Sequence, residues 1–406
     1  MRKLVPLNSL VITVGPTPSV NAACVNEYFA PYEVISAEDV REELVGDRTR
    51  KDIDGVVFSE VHRRVLTKLK LGERVVVCAP NLRRDSRIAL AEIGVNHGVP
   101  VFYLICDDEA AEPSARSKFL STEKDVLRGD SLAEVIDRRV CSIEVVRKFN
   151  SVSGDELLEN LSRRYKGITV VGDMHGMYQS LLATLDWARE RNHFVLSLGD
   201  IIDYGPGTLD TADEVYRLVM RGAGEMITGN HERKIARWID QNERGRSMMK
   251  LSDGNKVTTQ ALNRAGAPVR DRWSSRFRGF VSRSPMSLEI GDFFFAHAAA
   301  HPSVWTGEDM DPRAAENFCL FGEYDPTAEG ERPARTYNWV EAIPAGKTVI
   351  VGHDARSTLR PVVETNAQGG KAIFLDTGSG KGGNLSSVDL RFNDQGQLEL
   401  KNFTMH

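Results

Sequence analysis

Short apolar runs alternate with amphipathic stretches along the first hundred residues of the chain. RVVVCAP (74–80) and VPVFYLICD (99–107) are continuously apolar, which is typical of strands buried on both faces of a parallel sheet. LVITVG (10–15) and EVIS (33–36) are shorter runs, and VHRRVLTKLKLG (61–72) has helical periodicity with its basic residues outward. This alternation predicts an α/β domain in which a parallel sheet carries helices on both sides.

The pattern weakens between Asp107 and Lys166. DSLAEVIDRRVCSIEVVRKF (130–149) retains helical periodicity, so we expect a helical lid or linker there. We therefore predict three parts, which are a first domain, a helical lid or linker, and a second domain (1–110, 111–165 and 166–406).

The second domain repeats one local pattern, in which a short apolar run ends directly in a polar residue able to bind a metal ion. An α/β scaffold presents its chemistry at the carboxyl ends of its strands. The runs that show the pattern are GITVVGD, FVLSLGD, EMITGN, FFFAHA, TVIVGHD and AIFLDTG.

Composition and charge exclude several classes of protein. The 52 basic and 57 acidic residues give a formal net charge of −5, so any binding of nucleic acid has to be local. The five cysteines form no CxxC pair, and we interpret them as small buried side chains in a reducing compartment. No run reaches the roughly 18 apolar residues of a membrane span. The amino-terminal MRKLVPLNSLVITVG is interpreted as leading into a buried strand, not as a signal peptide, and we expect a cytoplasmic protein with no membrane partner.

The polar residues at the predicted strand ends form a set with a definite chemistry. Imidazoles and carboxylates together suit Mn, Fe, Zn, Ni or Co better than Ca or Mg. A carboxylate that bridges two cations about 3.5–4 Å apart gives a two-metal site for phosphoryl displacement. The candidate residues are Asp173, His175, Asp200, Asp203, Asn230, His231, His297 and His353.

These residues stand in GDMHG, GDIIDYG, GNHE, FFFAHA and VIVGHD, and this ordered series resembles the calcineurin-like binuclear metallophosphoesterases. The resemblance implies an α+β domain with a central β-sandwich flanked by helices, and two divalent ions, Mn first and Ni, Fe, Zn or Co next. It implies that His231 is the general acid, held by Asp203, and that His353 faces the first metal. The implied metal ligands are Asp173, His175, Asp200 as the bridge, Asn230, His297 and His353.

One residue departs from the family pattern. Where the family has an arginine that contacts the substrate phosphate, this chain has Tyr204. Without the two hydrogen bonds that an arginine donates, we expect weaker binding of a phosphate monoester, whereas the metal ligands are unchanged. We therefore expect slower turnover or a less charged phosphodiester substrate.

Three further segments, 250–266, 320–354 and 375–388, resemble the phosphatase module of bacterial polynucleotide kinase-phosphatases. This resemblance implies that Asp376 lies beside the metal site and that Arg335 is a candidate substrate contact; an exposed structural role for Arg335 is equally open. It implies polynucleotide 3′-phosphate or 2′,3′-cyclic phosphate ends as substrates.

The amino-terminal region is similar to the P-loop kinase of the same enzymes, but its phosphate loop is degenerate. The expected GxxxxGK[ST] reads GPTPSVNAAC (15–24), without the second glycine, the lysine and the hydroxyl residue. Pro16 and Pro18 remove two backbone donors, and Glu38 stands where the general-base aspartate is expected. We predict a domain without kinase activity.

Three alternatives remain open. The same site could serve a serine/threonine protein phosphatase or a diadenosine polyphosphate hydrolase, because the core motifs are shared. The chain could instead be a binding or scaffold protein with a vestigial site. VRDRWSSRFRGF (269–280) either binds single-stranded nucleic acid or forms a solvated helix face over buried aromatic side chains. The oligomeric state cannot be predicted.

Overall fold

The computed structural model describes residues 2–70, 72–127, 132–145, 154–243, 249–307, 311–325 and 334–406. The chain divides into two compact units. The first comprises residues 1–147, 220–222 and 278–282, and the second comprises residues 148–219, 223–277 and 283–406. No helix within the described ranges is long and apolar enough to cross a membrane.

The first unit is an α/β structure. Its strands are β1 (Arg2–Val5), β2 (Leu10–Val14), β3 (Val34–Ser36), β4 (Val75–Cys78), β5 (Val101–Ile105), β6 (Glu134–Asp137) and β7 (Ser142–Val145). Its helices are α1 (Pro18–Tyr28), α2 (Ala37–Val45), α3 (Asp54–Lys70), α4 (Arg84–Asn96) and α5 (Pro113–Leu127).

The central sheet of this unit is parallel throughout, with the strand order β3-β4-β2-β5-β6. Alternate residues of each strand enter two separate cores: Ile12 and Val77 pack with α2, α3 and α4, whereas Val11 and Val76 pack with α1. Helices therefore cover both faces, as the continuous apolar runs predict. The likeness of this unit to a P-loop kinase stays a prediction.

The segment 111–165 differs from the expected helical lid. Residues 128–131 and 146–153 lie outside the described residues. Helix α5 agrees with the expected helical character, whereas β6 pairs in parallel with β5, and β7 pairs with β1, so these strands extend the first unit. Helix α6 (Gly154–Arg164) belongs to the second unit, because Leu157 and Leu161 are buried in its core.

The second unit contains the remaining strands and most residues of the remaining helices. Its strands are β8 (Gly167–Val171), β9 (His193–Ser197), β10 (Gly224–Met226), β11 (Ser287–Ile290), β12 (Phe293–Ala296), β13 (Glu323–Tyr324), β14 (Arg335–Thr336), β15 (Thr348–Val351), β16 (Val362–Thr365), β17 (Lys371–Phe374), β18 (Ser386–Phe392) and β19 (Leu398–Met405). Its helices after α6 are α7 (Tyr178–Glu190), α8 (Thr208–Met220), α9 (Asn230–Glu243), α10 (Asp253–Arg264), α11 (Ala267–Arg283), α12 (Ser303–Thr306), α13 (Pro312–Phe321) and α14 (Asn338–Glu341).

Two five-stranded sheets form a sandwich in the second unit. One has the order β10-β9-β8-β18-β19 and the other the order β11-β12-β15-β17-β16. Ile168 and Phe194 of the first sheet share one core with Phe295 and Ile350 of the second, and all four are fully buried. Each such side chain contributes roughly 1.5–3 kcal/mol. The sandwich flanked by helices agrees with the predicted fold of this unit.

Candidate active site

The candidate residues converge where six parallel strands end, three in each sheet of the sandwich. β10, β9 and β8 run parallel in one sheet, and β12, β15 and β17 run parallel in the other. Their carboxyl ends therefore share an edge of the sandwich. The residues that follow are Asp173 and His175 after β8, Asp200 and Asp203 after β9, Asn230 and His231 after β10, His297 after β12, His353 after β15 and Asp376 after β17.

Asp200 is the centre of this cluster. Its Oδ1 lies 3.4 Å from Nε2 of His297, and its Oδ2 lies 3.9 Å from Nε2 of His175 and 3.8 Å from Nε2 of His231. Two groups able to hold a metal ion share this carboxylate, one with His175 and His231 and the other with His297 and His353. A carboxylate common to two such groups has the placement of a bridging ligand.

His353 lies with the second of these groups. Its Nδ1 is 3.1 Å from Nε2 of His297, which is in turn 3.0 Å from Oδ1 of Asn230. This placement corrects the expectation that the imidazole faces the metal of Asp173 and His175. The reason is topological: β15 pairs directly with β12, so the residues that follow the two strands end side by side. Only the backbone N–H of His353 reaches Asp173, at 2.9 Å from Oδ1.

The backbone of the site is strained. Five non-glycine residues here have positive φ angles in the left-handed region. Such conformations cost on the order of 1–3 kcal/mol each and cluster where a structure holds functional groups in place. They are His175 (43°), Asp200 (49°), Asp203 (75°), Tyr204 (58°) and His353 (66°).

Glu232 holds one of these turns, and the motif analysis did not assign it a role. This fully buried carboxylate accepts hydrogen bonds from the backbone N–H groups of Gly229, Asp200 and Ile201, at 3.0, 2.8 and 2.9 Å. It thereby fixes the position of Asp200 after β9 relative to the start of α9. The signal in the sequence is the glutamate of GNHE.

The electrostatics of the cluster favour a bound cation. Burial raises the pKa of Asp173 well above its usual range, and the neighbouring Asp376 and Asp200 add repulsion. Burial lowers the pKa of His175 to about 4. Within the described residues, Nε2 of His175 and Oδ2 of Asp376 are buried without a hydrogen-bond partner. Orphaned imidazole and carboxylate atoms among crowded acids fit the divalent ions that the motifs imply.

His231 and Asp203 form a buried pair beside this cluster. Nδ1 of His231 lies 2.5 Å from Oδ2 of Asp203. Asp203 also accepts hydrogen bonds from the side chains of Asn255 and Thr258 on α10, so the carboxylate is fixed from two directions. Burial disfavours the imidazolium, but Asp200 and Asp203 outweigh it and raise the pKa of His231. The segment 250–266 thus contributes to the site through α10.

The three predicted substrate contacts surround the ligands. The Tyr204 side chain is 36% exposed, and its ring is edge-on to His175 at 4.8 Å between centroids. Asp376 is buried, and its pKa is raised by burial. Arg335 on β14 donates to the hydroxyl of Tyr324 at 3.2 Å. Burial lowers the pKa of His353, the charge of His297 lowers it further, and Asp200 opposes this shift. Residues 326–333 lie outside the described ranges.

Two other sequence features lie away from the ligands. His301 accepts the backbone N–H of Ser303 at 3.1 Å and packs on Phe318, as a turn residue. In the stretch 269–280, Trp273 and Phe277 stack on each other at 4.5 Å and are buried. These aromatic rings are therefore not available to stack on nucleic-acid bases.

Known proteins resemble the segment that carries these residues. Residues 167–357 match the family described as "Calcineurin-like phosphoesterase". The chain is 25% identical over 236 residues to the Bis(5'-nucleosyl)-tetraphosphatase PrpE [asymmetrical] of Oceanobacillus iheyensis, covering 54% of this chain and 87% of the relative. It is 36% identical over 95 residues to Serine/threonine-protein phosphatase 2 of Escherichia coli, covering 23% and 40%.

Among solved structures, a protein serine/threonine phosphatase from Saccharomyces cerevisiae is similar with a TM-score of 0.37 and 16% identity, over 61% of this chain and 86% of the other. The family match spans five of the six strand ends that form the cluster. Residues 167–357 therefore form a calcineurin-like phosphoesterase domain, and the protein is a hydrolytic enzyme of the phosphatase class.

Proposed function

We propose that the second unit is a binuclear metal-dependent phosphoesterase whose substrates are phosphate esters of nucleotides. The placement of Asp200 between two groups of potential ligands carries this proposal. We assign one divalent ion to Asp173, His175 and Asp200, and the other to Asp200, Asn230, His297 and His353. Mn²⁺ is the first choice, followed by Ni²⁺, Fe, Zn²⁺ or Co²⁺. Two such ions supply Lewis-acid activation of a nucleophilic water and neutralise charge on the phosphoryl oxygens.

The proton donor in this proposal is His231. Its Nδ1 faces Asp203, and its Nε2 faces the ligand cluster, 3.8 Å from Oδ2 of Asp200. Asp203 therefore orients the ring and keeps it protonated, so that Nε2–H can be delivered to the departing oxygen. Asn255 and Thr258 in turn orient Asp203.

The first substrate class is bis-nucleosyl polyphosphates. In its support, similarity extends over 87% of a relative that bears the name of a bis-nucleosyl tetraphosphatase. The second class is polynucleotide 3′-phosphate or 2′,3′-cyclic phosphate ends. In its support, Asp376, which the kinase-phosphatase resemblance singles out, is buried and follows β17, the strand that pairs in parallel with β15.

We propose that the first unit does not transfer phosphate. Thr17 caps α1, and its Oγ1 accepts from the N–H of Val20, in place of an external anion. The side chain of Asn21 is fully buried and donates to the backbone oxygen of Ala79 at 2.7 Å. A Cβ on Gly15 would come within 2.0 Å of its Oδ1, so Asn21 fills the space above the degenerate loop.

A substrate screen with one purified sample tests the proposal. Diadenosine tetraphosphate, RNA with 2′,3′-cyclic phosphate or 3′-phosphate ends, a phosphopeptide and two p-nitrophenyl esters would each be assayed with Mn²⁺, Ni²⁺ or excess chelator. We expect chelator-sensitive hydrolysis that is fastest with one of the nucleotide substrates. Fastest hydrolysis of the phosphopeptide would overturn the substrate assignment. Absence of hydrolysis with every metal would overturn the phosphoesterase itself.

A further inference from the structure

The loop that follows β17 is a compact structure beside the ligand cluster. The N–H of Gly378 donates to Oδ1 of Asp376 at 2.8 Å, and the N–H of Lys381 donates to the oxygen of Gly378 at 2.9 Å. The Ser379 hydroxyl donates to the backbone oxygen of Met174 at 3.1 Å. The loop is thus tied at both its start and its middle, and its tip has a defined position.

Gly380 brings this loop against the turn that carries His175. Its φ is 72°, and a Cβ there would lie 2.8 Å from Cβ and 2.9 Å from the backbone oxygen of His175. A residue with a side chain would push the loop away from the site. Because Lys381 comes next, the glycine determines where its side chain starts.

The ammonium group of Lys381 lies at the rim of the site. Its Nζ is 4.6 Å from the centre of the Tyr204 ring, and that ring is edge-on to His175. The lysine is exposed, and within the described residues no ion pair joins it to a carboxylate. Its ammonium group is therefore an accessible positive charge beside the ligand cluster, where a substrate anion can reach it.

We propose that Lys381 binds the substrate phosphate and takes the role that the missing arginine at Tyr204 leaves vacant. This inference rests on the proposed phosphoesterase function. The ammonium of Lys381 lies over Tyr204, whose ring is edge-on to His175, so the cation is placed beside the ligand cluster. A lysine is a point charge without the bidentate fork of arginine, so it meets the charge of a phosphate group without fixing its orientation. Tyr204 orients the ammonium through a cation–π contact.

The test is the affinity of metal-reconstituted protein for inorganic phosphate, measured by calorimetry, together with KM and kcat for p-nitrophenyl phosphate. Lys381→Met should weaken phosphate binding and raise KM about 10- to 100-fold, the effect of losing one charge-assisted contact. The value of kcat should change little, because the ligands and His231 are untouched. Lys371→Met is the matched control, since this exposed lysine begins β17 at the end of the strand away from the site.

Two further variants separate the local contact from general charge. Lys381→Arg should retain phosphate affinity within a few-fold, and Tyr204→Arg should restore it in the Lys381→Met background. Unchanged phosphate affinity in Lys381→Met, or an equal loss in Lys371→Met, would overturn the inference. A wild-type protein that binds phosphate but hydrolyses no ester would overturn the proposed function, whereas the phosphate affinities would still decide the role of Lys381.

Discussion

Replacement of His231 by asparagine separates proton donation from substrate positioning. The imidazole is paired with Asp203 through Nδ1, so the proton available to the substrate is on Nε2, the nitrogen that faces Asp200. Asparagine retains a donor of similar reach, but it cannot give up a proton. The variant therefore removes general acid catalysis and leaves the shape of the site nearly intact.

The size of the loss depends on the leaving group. A positioned acid contributes about 10²- to 10⁴-fold when an alkoxide departs, which corresponds to about 2.7–5.5 kcal/mol of transition-state stabilisation. p-Nitrophenolate is a weak base and departs without a proton. We therefore expect His231→Asn to lower kcat/KM for an alkyl phosphate by about 10²- to 10⁴-fold, and to lower it less than about tenfold for p-nitrophenyl phosphate.

Steady-state kinetics on the two substrates, with a fixed concentration of Mn²⁺, measure this contrast. His301→Asn is the matched control, because the His301 imidazole bonds Ser303 and packs on Phe318, away from the ligands. It should leave both rates unchanged. Equal decreases in kcat/KM for both substrates in His231→Asn would show that His231 is a positioning residue and not the proton donor.

Three other outcomes follow from the structure. Burial raises the pKa of Glu225 on β10 to about 7, so the unfolded chain loses this proton between pH 4.5 and 7 while the folded chain keeps it. Stability should therefore fall by about 3 kcal/mol across that window. Glu225→Gln should reduce the fall in urea titrations by this amount, while Glu232, whose pKa burial also raises to about 7, still contributes its share; a variant less stable than wild type at pH 8 would show that pairing with Arg283 dominates. Mg-ATP should not bind the first unit at micromolar concentration in calorimetry, since Asn21 fills the space above Gly15; tight binding would contradict this. Chelation should lower Tm by several degrees, because Asp173, Asp200 and Asp376 then repel one another; an unchanged Tm would argue against a cation in the cluster.

The strand-end ligands could be predicted because two independent signals coincide there. An apolar run identifies the strand, and the polar residue directly after it has to lie at the carboxyl edge of the sheet. For Asp173 and His297 this local pattern predicts which strand precedes the residue and that the residue lies at the carboxyl end of that strand. The parallel pairing of β8 with β9 and of β12 with β15 then brings the ends together.

Other features depend on contacts between distant segments, and local patterns do not contain them. The side of the cluster on which His353 lies follows from the pairing of β15 with β12. The role of Glu232 depends on backbone N–H groups about 30 residues away. Lys381 reaches Tyr204 only because the loop after β17 crosses the turn at His175.

The division of the segment 111–165 also escaped prediction, for a related reason. The run EVID in β6 is short and half polar, so its periodicity does not separate it from a helix. Its pairing with β5 supplies the stabilisation that its own sequence lacks. The strand conformation of β6 therefore depends on its pairing with β5 and not on its own sequence pattern.

Metal content and turnover of Asp200→Asn test the binuclear phosphoesterase most directly. Elemental analysis of the reconstituted wild-type protein should give two divalent ions per chain. The variant should retain cooperative unfolding, because it removes one of several crowded buried charges, but it should bind fewer than two ions and lose hydrolysis of every substrate. A variant that binds two ions and hydrolyses its substrates at the wild-type rate would contradict the assignment of Asp200 as the bridging ligand of a binuclear site.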